Sequence, residues 1–149
     1  MRTHYDSIYL SPHLDDAALS CGGQIYEQTA VGKSVLIVTL MAGDPPDGPL
    51  SAFAQSLHER WQLATDVAAA RRAEDAAACH ILGADYAHWG ILDCVYRTHP
   101  HDGLPLYPTW TDVIGAIHPT EEALIARLAA QMAEFPASTV IKDAELGRR

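Results

Sequence analysis

Apolar positions along this chain alternate between two rhythms, short continuous runs and longer stretches with helical spacing, and that alternation predicts an α/β fold. Tyr5 to Leu10 reads as a first strand, followed by a helix from near Asp15 with Ala18, Cys21, Gly22 and Ile25 on its inner face. Gly22 and Gly23 weaken that helix, so close packing against a sheet is their expected use. Ser34 to Leu40 is an uninterrupted apolar run of the kind a central parallel strand needs when both its faces are covered. A loop rich in proline and glycine follows from Met41 to Pro49.

Ser51 to Leu82 has helical composition in two pieces, stopped by Gly83, and Val67, Ala70, Ala77 and Ile81 are the predicted apolar stripe of the second. Tyr86 to Trp89 fits a short third strand. Residues 90–119 hold four prolines, three histidines and three glycines, a composition that predicts a long irregular loop of the kind that builds or covers a binding site. Thr120 is the expected cap of an amphipathic helix with Glu121 and Glu122 in its first turn and Leu124, Ile125, Leu128, Met132 and Phe135 inward. Ser138 to Lys142 reads as strand four. The expected architecture is a Rossmann-like three-layer sandwich with a mainly parallel sheet, in one domain over 1–149.

Chemistry concentrates where the first strand hands over to its helix, at Pro12-His13-Leu14-Asp15-Asp16. Ligands of open α/β sheets bind beyond the carboxyl ends of the strands, where free helix N–H groups add positive potential. His13 and Asp16, three residues apart, can offer an imidazole nitrogen and a carboxylate oxygen to one cation, a donor pair that suits zinc better than magnesium or calcium. Asp15 between them is then available as a base toward water activated by that cation. The competing reading is a plain helix start with an acidic first turn.

Charge and cysteine usage narrow the field. With 10 basic and 19 acidic residues the net charge is −9, which disfavours nucleic acid and anionic membrane as partners. The longest purely aliphatic run, Val35 to Val38, is too short to span a bilayer, and Met1 to Asp6 has no apolar stretch behind it, so a cytoplasmic location is expected. Cys21, Cys79 and Cys94 are odd in number and lack C-x-x-C spacing, which predicts reduced, mostly buried thiols.

The strand, the Pro12 to Asp16 turn and the Ala17 to Gly23 helix start together resemble the PIG-L/LmbE family of zinc-dependent sugar N-deacetylases, whose signature is H-x-D-D followed by a small, glycine-ended helix start. Arg71-Arg72-Ala73-Glu74, then Ala76 to Ala78 and Leu82-Gly83, match the family's R-x-x-E and LG segments in order, and the likeness runs from about residue 5 to residue 141. The resemblance implies His13 and Asp16 as zinc ligands, Asp15 as general base, Arg71 as a sugar or anion contact oriented by Glu74, and Asp44 and Asp93 as polar substrate contacts. The implied substrate is a small N-acetylated amino sugar.

Family members continue after the strand matching Ser138 to Lys142 into a glycine-rich segment with an H-x-D-H type motif that supplies the third zinc ligand. This chain instead reads Asp143 to Arg149, without histidine. The expectation is a domain lacking the family's C-terminal part, with a two-ligand site, little or no turnover, and an exposed sheet edge that invites homo-oligomerisation. His99 or His101 of His99-Pro100-His101-Asp102 are the candidates to replace the missing ligand. Two other classes fit part of the pattern: an inactive remnant of such an enzyme, and a magnesium-dependent phosphoryl-transfer or phosphoacceptor domain, which would want an aspartate at the end of strand three and a later lysine, positions Asp93 and Lys142 fill only loosely.

Overall fold

A computed structural model describes residues 2, 4–60 and 68–135 and the backbone of Val67 and of residues 140–143. Trp61 and the tail 144–149 lie outside the described residues. The chain forms two compact units, the first made of residues 1–44, 67–91 and 136–149, the second of residues 45–66 and 92–135.

The first unit carries the sheet: β1 (Ser7–Ser11), β2 (Val35–Thr39), β3 (Asp85–His88) and β4 (Val140–Asp143). All four run parallel in the order β3-β2-β1-β4, with Ser7 opposite Val35 and Val140, and Leu36 opposite Asp85. This is the expected Rossmann-like α/β architecture. Every residue of β2 is buried, the outcome its continuous apolar run predicts for a strand covered on both faces.

Helices α1 (Asp16–Ala30) and α3 (Val67–Ile81) connect these strands and pack against them. Tyr9, Ala17, Ile25, Val35, Ile37, Cys79 and Ala84 form one buried cluster with Cys21 and Leu82 against it. Because the order steps from β1 through β2 to β3 and only then returns to β4 beside β1, the strand order reverses between β1 and β4. Such a reversal is where open α/β sheets bind their ligands, and the His13 to Asp16 turn leaves β1 there.

Three packing expectations are corrected. Gly23 has open space around it and Gly22 meets only the Leu82 side chain at 3.7 Å, so neither glycine serves contact with the sheet. On α3 the described members of the predicted stripe face outward: Ala70 and Ala77 are exposed and Ile81 is 77% exposed, while Asp75 and Cys79 are buried; the Val67 side chain lies outside the described residues. Hydrogen bonding to Asp75 turns the helix this way, since a carboxylate with buried partners can occupy an inner face that hydrophobicity alone would give to alanine.

The second unit contains α2 (Ala52–Arg60), a 3₁₀ turn at Cys94–Tyr96, the short α4 (Trp110–Val113), a 3₁₀ turn at Pro119–Glu121 and α5 (Glu122–Ala133). The third correction falls here: Leu124, Leu128, Met132 and Phe135 are half-buried as expected, but Ile125 is exposed. Thr120 does not cap α5: the cap residue is Glu121, whose side chain makes no capping hydrogen bond, and the His118 side chain, accepting from the Thr120 N–H, caps the 3₁₀ turn before the helix. Segment 90–119 is held by a buried ion pair, Arg97 Nη1 to Glu121 Oε1 at 2.6 Å, whose other carboxylate oxygen accepts from the Tyr107 hydroxyl at 2.6 Å.

Candidate functional site

The turn between β1 and α1 is fixed from three sides. The Ser11 hydroxyl, fully buried at the last position of β1, donates to the His13 carbonyl at 2.8 Å and accepts from the Ala17 N–H at 3.1 Å. It thereby satisfies one of the open donors of the α1 first turn, a task that usually falls to the residue at the cap itself. The Asp16 carboxylate oxygen Oδ2 accepts from the His13 backbone N–H at 3.2 Å and lies 3.2 Å from His13 Nδ1.

Asp15 is the cap residue of α1, yet its side chain makes no capping hydrogen bond. Its backbone is in the left-handed region, φ 71°, where no other described non-glycine residue is found. That conformation costs an L-residue on the order of 1–2 kcal/mol, somewhat less for aspartate. The Asp15 N–H donates to Asp75 Oδ1 at 2.8 Å. A hydrogen bond to a charged group contributes roughly 1.5–3 kcal/mol, enough to hold the strained residue. The Asp15 carboxylate makes no capping hydrogen bond, while Asp16 gives α1 the acidic first turn that the plain helix-start reading expects.

Asp75 is the hub behind the turn. Its side chain is 2% exposed, and Oδ2 lies 2.7 Å from His88 Nε2 and, at a longer 3.4 Å, accepts from the Thr39 hydroxyl. An ionised carboxylate only accepts, so Nε2 is the ring nitrogen of His88 that donates. Thr39 and His88 end β2 and β3, which ties the carboxyl ends of both strands to α3 and to the β1 turn.

Arg71 reaches the same turn from α3, donating to the Leu14 carbonyl at 3.3 Å and approaching Asp15 Oδ2 at 3.5 Å. It does not pair with Glu74, which is exposed. Burial raises the Asp15 carboxyl above the ordinary range; the Arg71 charge opposes that rise and Asp75 adds to it. A half-buried carboxylate with a raised affinity for protons is chemically suited to accept one.

The rim beyond β2 is also built. Arg72 donates to the Ala42 carbonyl at 2.8 Å and to Asp44 Oδ1 at 2.7 Å. The chain leaving β2 is bound to the chain leaving β3 by Ala42 N–H to the Trp89 carbonyl at 3.2 Å and Gly43 N–H to the Ile91 carbonyl at 3.0 Å. Asp93 belongs to the second unit, where its carboxylate accepts from the Val95 N–H at 3.2 Å and caps the 3₁₀ turn. His99 and His101 are in that unit too, their rings 5.7 Å apart. The phosphoacceptor alternative wants an aspartate at the end of β3, and that position is His88.

The donor set at the turn, one imidazole nitrogen and one carboxylate oxygen 3.2 Å apart, fits two positions of a zinc site. Among the described residues no group of three or more His, Cys, Asp or Glu side chains is arranged to hold a metal ion. Sequence reading missed Asp75, His88, Thr39 and Ser11. One signal was present: Asp75 stands four residues after Arg71 and four before Cys79, and so shares a helix face with both.

The chain is similar to deacetylases of known structure. No curated protein matches the chain in sequence. A crystal structure of a deacetylase–teicoplanin complex from the teicoplanin biosynthesis pathway is 33% identical, with a TM-score of 0.71 over 84% of this chain and 51% of that one. A zinc-inhibited form of teicoplanin deacetylase is 33% identical, TM-score 0.72, over 84% of this chain and 49% of that one. The A40926 pseudoaglycone deacetylase is 38% identical, TM-score 0.56, over 63% and 39%. The chain thus spans about half the length of the first two. The GlcNAc-PI de-N-acetylase (PIG-L) family pattern matches residues 8–145, and the chain, with its His13 to Asp16 turn at the carboxyl end of β1, belongs to that family.

Proposed function

We propose that the turn after β1 is the centre of a zinc-dependent deacetylase that hydrolyses the N-acetyl group of a small molecule containing N-acetylglucosamine. The observation that carries this reading is Asp15, held in a left-handed conformation with its carboxylate withheld from capping, between the two donors His13 and Asp16. His13 and Asp16 would hold the metal. When bound, zinc supplies Lewis-acid polarisation of the amide carbonyl and acidifies water.

The chain's own groups do the rest. Asp15, its proton affinity raised by burial, takes the proton of the attacking water and holds it for transfer to the leaving amine. Arg71 keeps Asp15 from becoming too weak an acid and offers donors to a sugar hydroxyl or an anion. Asp44, set by Arg72, and Asp93 are proposed as further substrate contacts. The partner is a small-molecule amino-sugar substrate, with neither nucleic acid nor membrane, a reading the net charge of −9 supports. We assign the whole of 1–149 to one deacetylase-type domain in the cytoplasm.

The test is amine release from a simple N-acetylglucosaminide with zinc added, wild type against Asp15→Asn. Slow, zinc-dependent release that Asp15→Asn lacks is expected, since two protein donors hold a metal loosely. Equal release by both proteins, or release indifferent to zinc and chelator, contradicts the reading.

A further inference from the structure

Asp75 lies on an inner helix face, is nearly inaccessible to solvent, and touches three different chain segments. Its one contact with the turn is the backbone N–H of the residue with the left-handed backbone. A carboxylate placed in a core without a task is a poor choice for stability, because apolar side chains of similar volume do as well or better there. We infer that Asp75 is a positioning residue: with His88 and Thr39 holding its second oxygen, it locks residue 15 in the left-handed conformation and so aims the Asp15 carboxylate away from the helix end and toward Arg71.

Three features support this over simple core filling. Both oxygens of Asp75 are used, Oδ1 on the turn and Oδ2 on the strand ends, so it transmits the position of β2 and β3 to residue 15. Asp15 has no capping bond of its own that would otherwise fix its conformation. Arg71, one helical turn before Asp75 on α3, meets the Asp15 carboxylate, so the same helix sets backbone and side chain together. His88 acts through Asp75 by fixing its carboxylate plane.

This inference rests on the deacetylase reading for its consequence, but its physical content is tested without activity. Glycine adopts the left-handed conformation unaided. Melting temperatures of the metal-free full chain are therefore compared for Asp75→Ala and Asp75→Asn in the wild-type and in the Asp15→Gly background. In the wild-type background Asp75→Ala should lower the midpoint by roughly 5 °C or more, as expected for an orphaned buried donor. In Asp15→Gly the loss should be clearly smaller, because less strain needs holding. An equal loss in both backgrounds overturns the proposal and makes Asp75 ordinary core.

The second arm measures kcat and KM. Asp75→Ala should lower kcat by ~10-fold to 100-fold, the usual range for a group that orients an active-site residue, with KM and zinc uptake unchanged. Asp75→Asn should recover part of the loss, since an amide oxygen still accepts from the Asp15 N–H. Wild-type kcat in Asp75→Ala overturns the proposal. Failure of the wild type to exceed Asp15→Asn would remove the deacetylase reading instead, and the melting comparison then decides the positioning role alone.

Discussion

Adjacent aspartates at the β1 turn have opposite surroundings. Asp16 turns back onto His13, while Asp15 is raised in proton affinity by burial and faces Arg71. A base is replaced most cleanly by its amide, which keeps the shape and loses the proton site. Asp15→Asn should thus leave zinc uptake intact and lower kcat on the order of 10²-fold to 10⁴-fold, measured on protein that turns over. Cysteine chemistry is a second residue-scale consequence. Burial pushes the Cys79 thiol up to about 12 and the Cys94 thiol up to about 11, with Asp75 and Asp93 respectively adding to the rise. Both thiols should resist alkylation at pH 8 in the native protein and react once it is unfolded. The raised folded-state values favour the protonated thiol, so their contribution to stability is whole below about 9, where an unfolded thiol ionises, and is lost as pH rises toward 11 and 12. A melting midpoint that climbs with pH above 9 on account of these groups would contradict that sign.

At the scale of elements, two glycines separate tight contact from open space. A Cβ at Gly43 would lie 2.9 Å from the Ile91 carbonyl oxygen and 3.0 Å from that of Gly90, the two segments that join the exits of β2 and β3. Gly43→Ala should cost roughly 1–3 kcal/mol and lower the melting midpoint, because backbone must shift to admit the methyl group. Gly23, inside α1 with nothing near, should behave in the opposite way, and Gly23→Ala is expected to stabilise by about 0.5–1 kcal/mol. A neutral Gly43→Ala in thermal unfolding would show that the rim is looser than its hydrogen bonds indicate. The strands were legible because their apolar runs are short and sharply bounded, with ends shifted by only one or two residues. The inner face of α3 was not, because periodicity has no means of showing that a carboxylate four residues from an arginine is bonded to a backbone N–H sixty residues away. The same applies to residues 90–119, whose order comes from Arg97, Tyr107 and Glu121 meeting across the segment.

At the scale of the molecule, the strand order places the reversal beside the strand that carries the H-x-D-D turn. Sequence pattern gave the strands and their parallel sense, whereas the order β3-β2-β1-β4 follows only from pairing. The turn was readable in sequence as a local motif; the hub that holds it, assembled from β2, α3 and β3, was not, because its members are distant along the chain. The central claim is that the turn binds a metal through His13 and Asp16. Zinc content after loading and mild desalting tests it most directly, by elemental analysis of wild type, His13→Ala and Asp16→Ala. The account predicts close to one zinc per wild-type chain, removable by gentle chelation, and a large loss in each variant; equal zinc in all three proteins would contradict it.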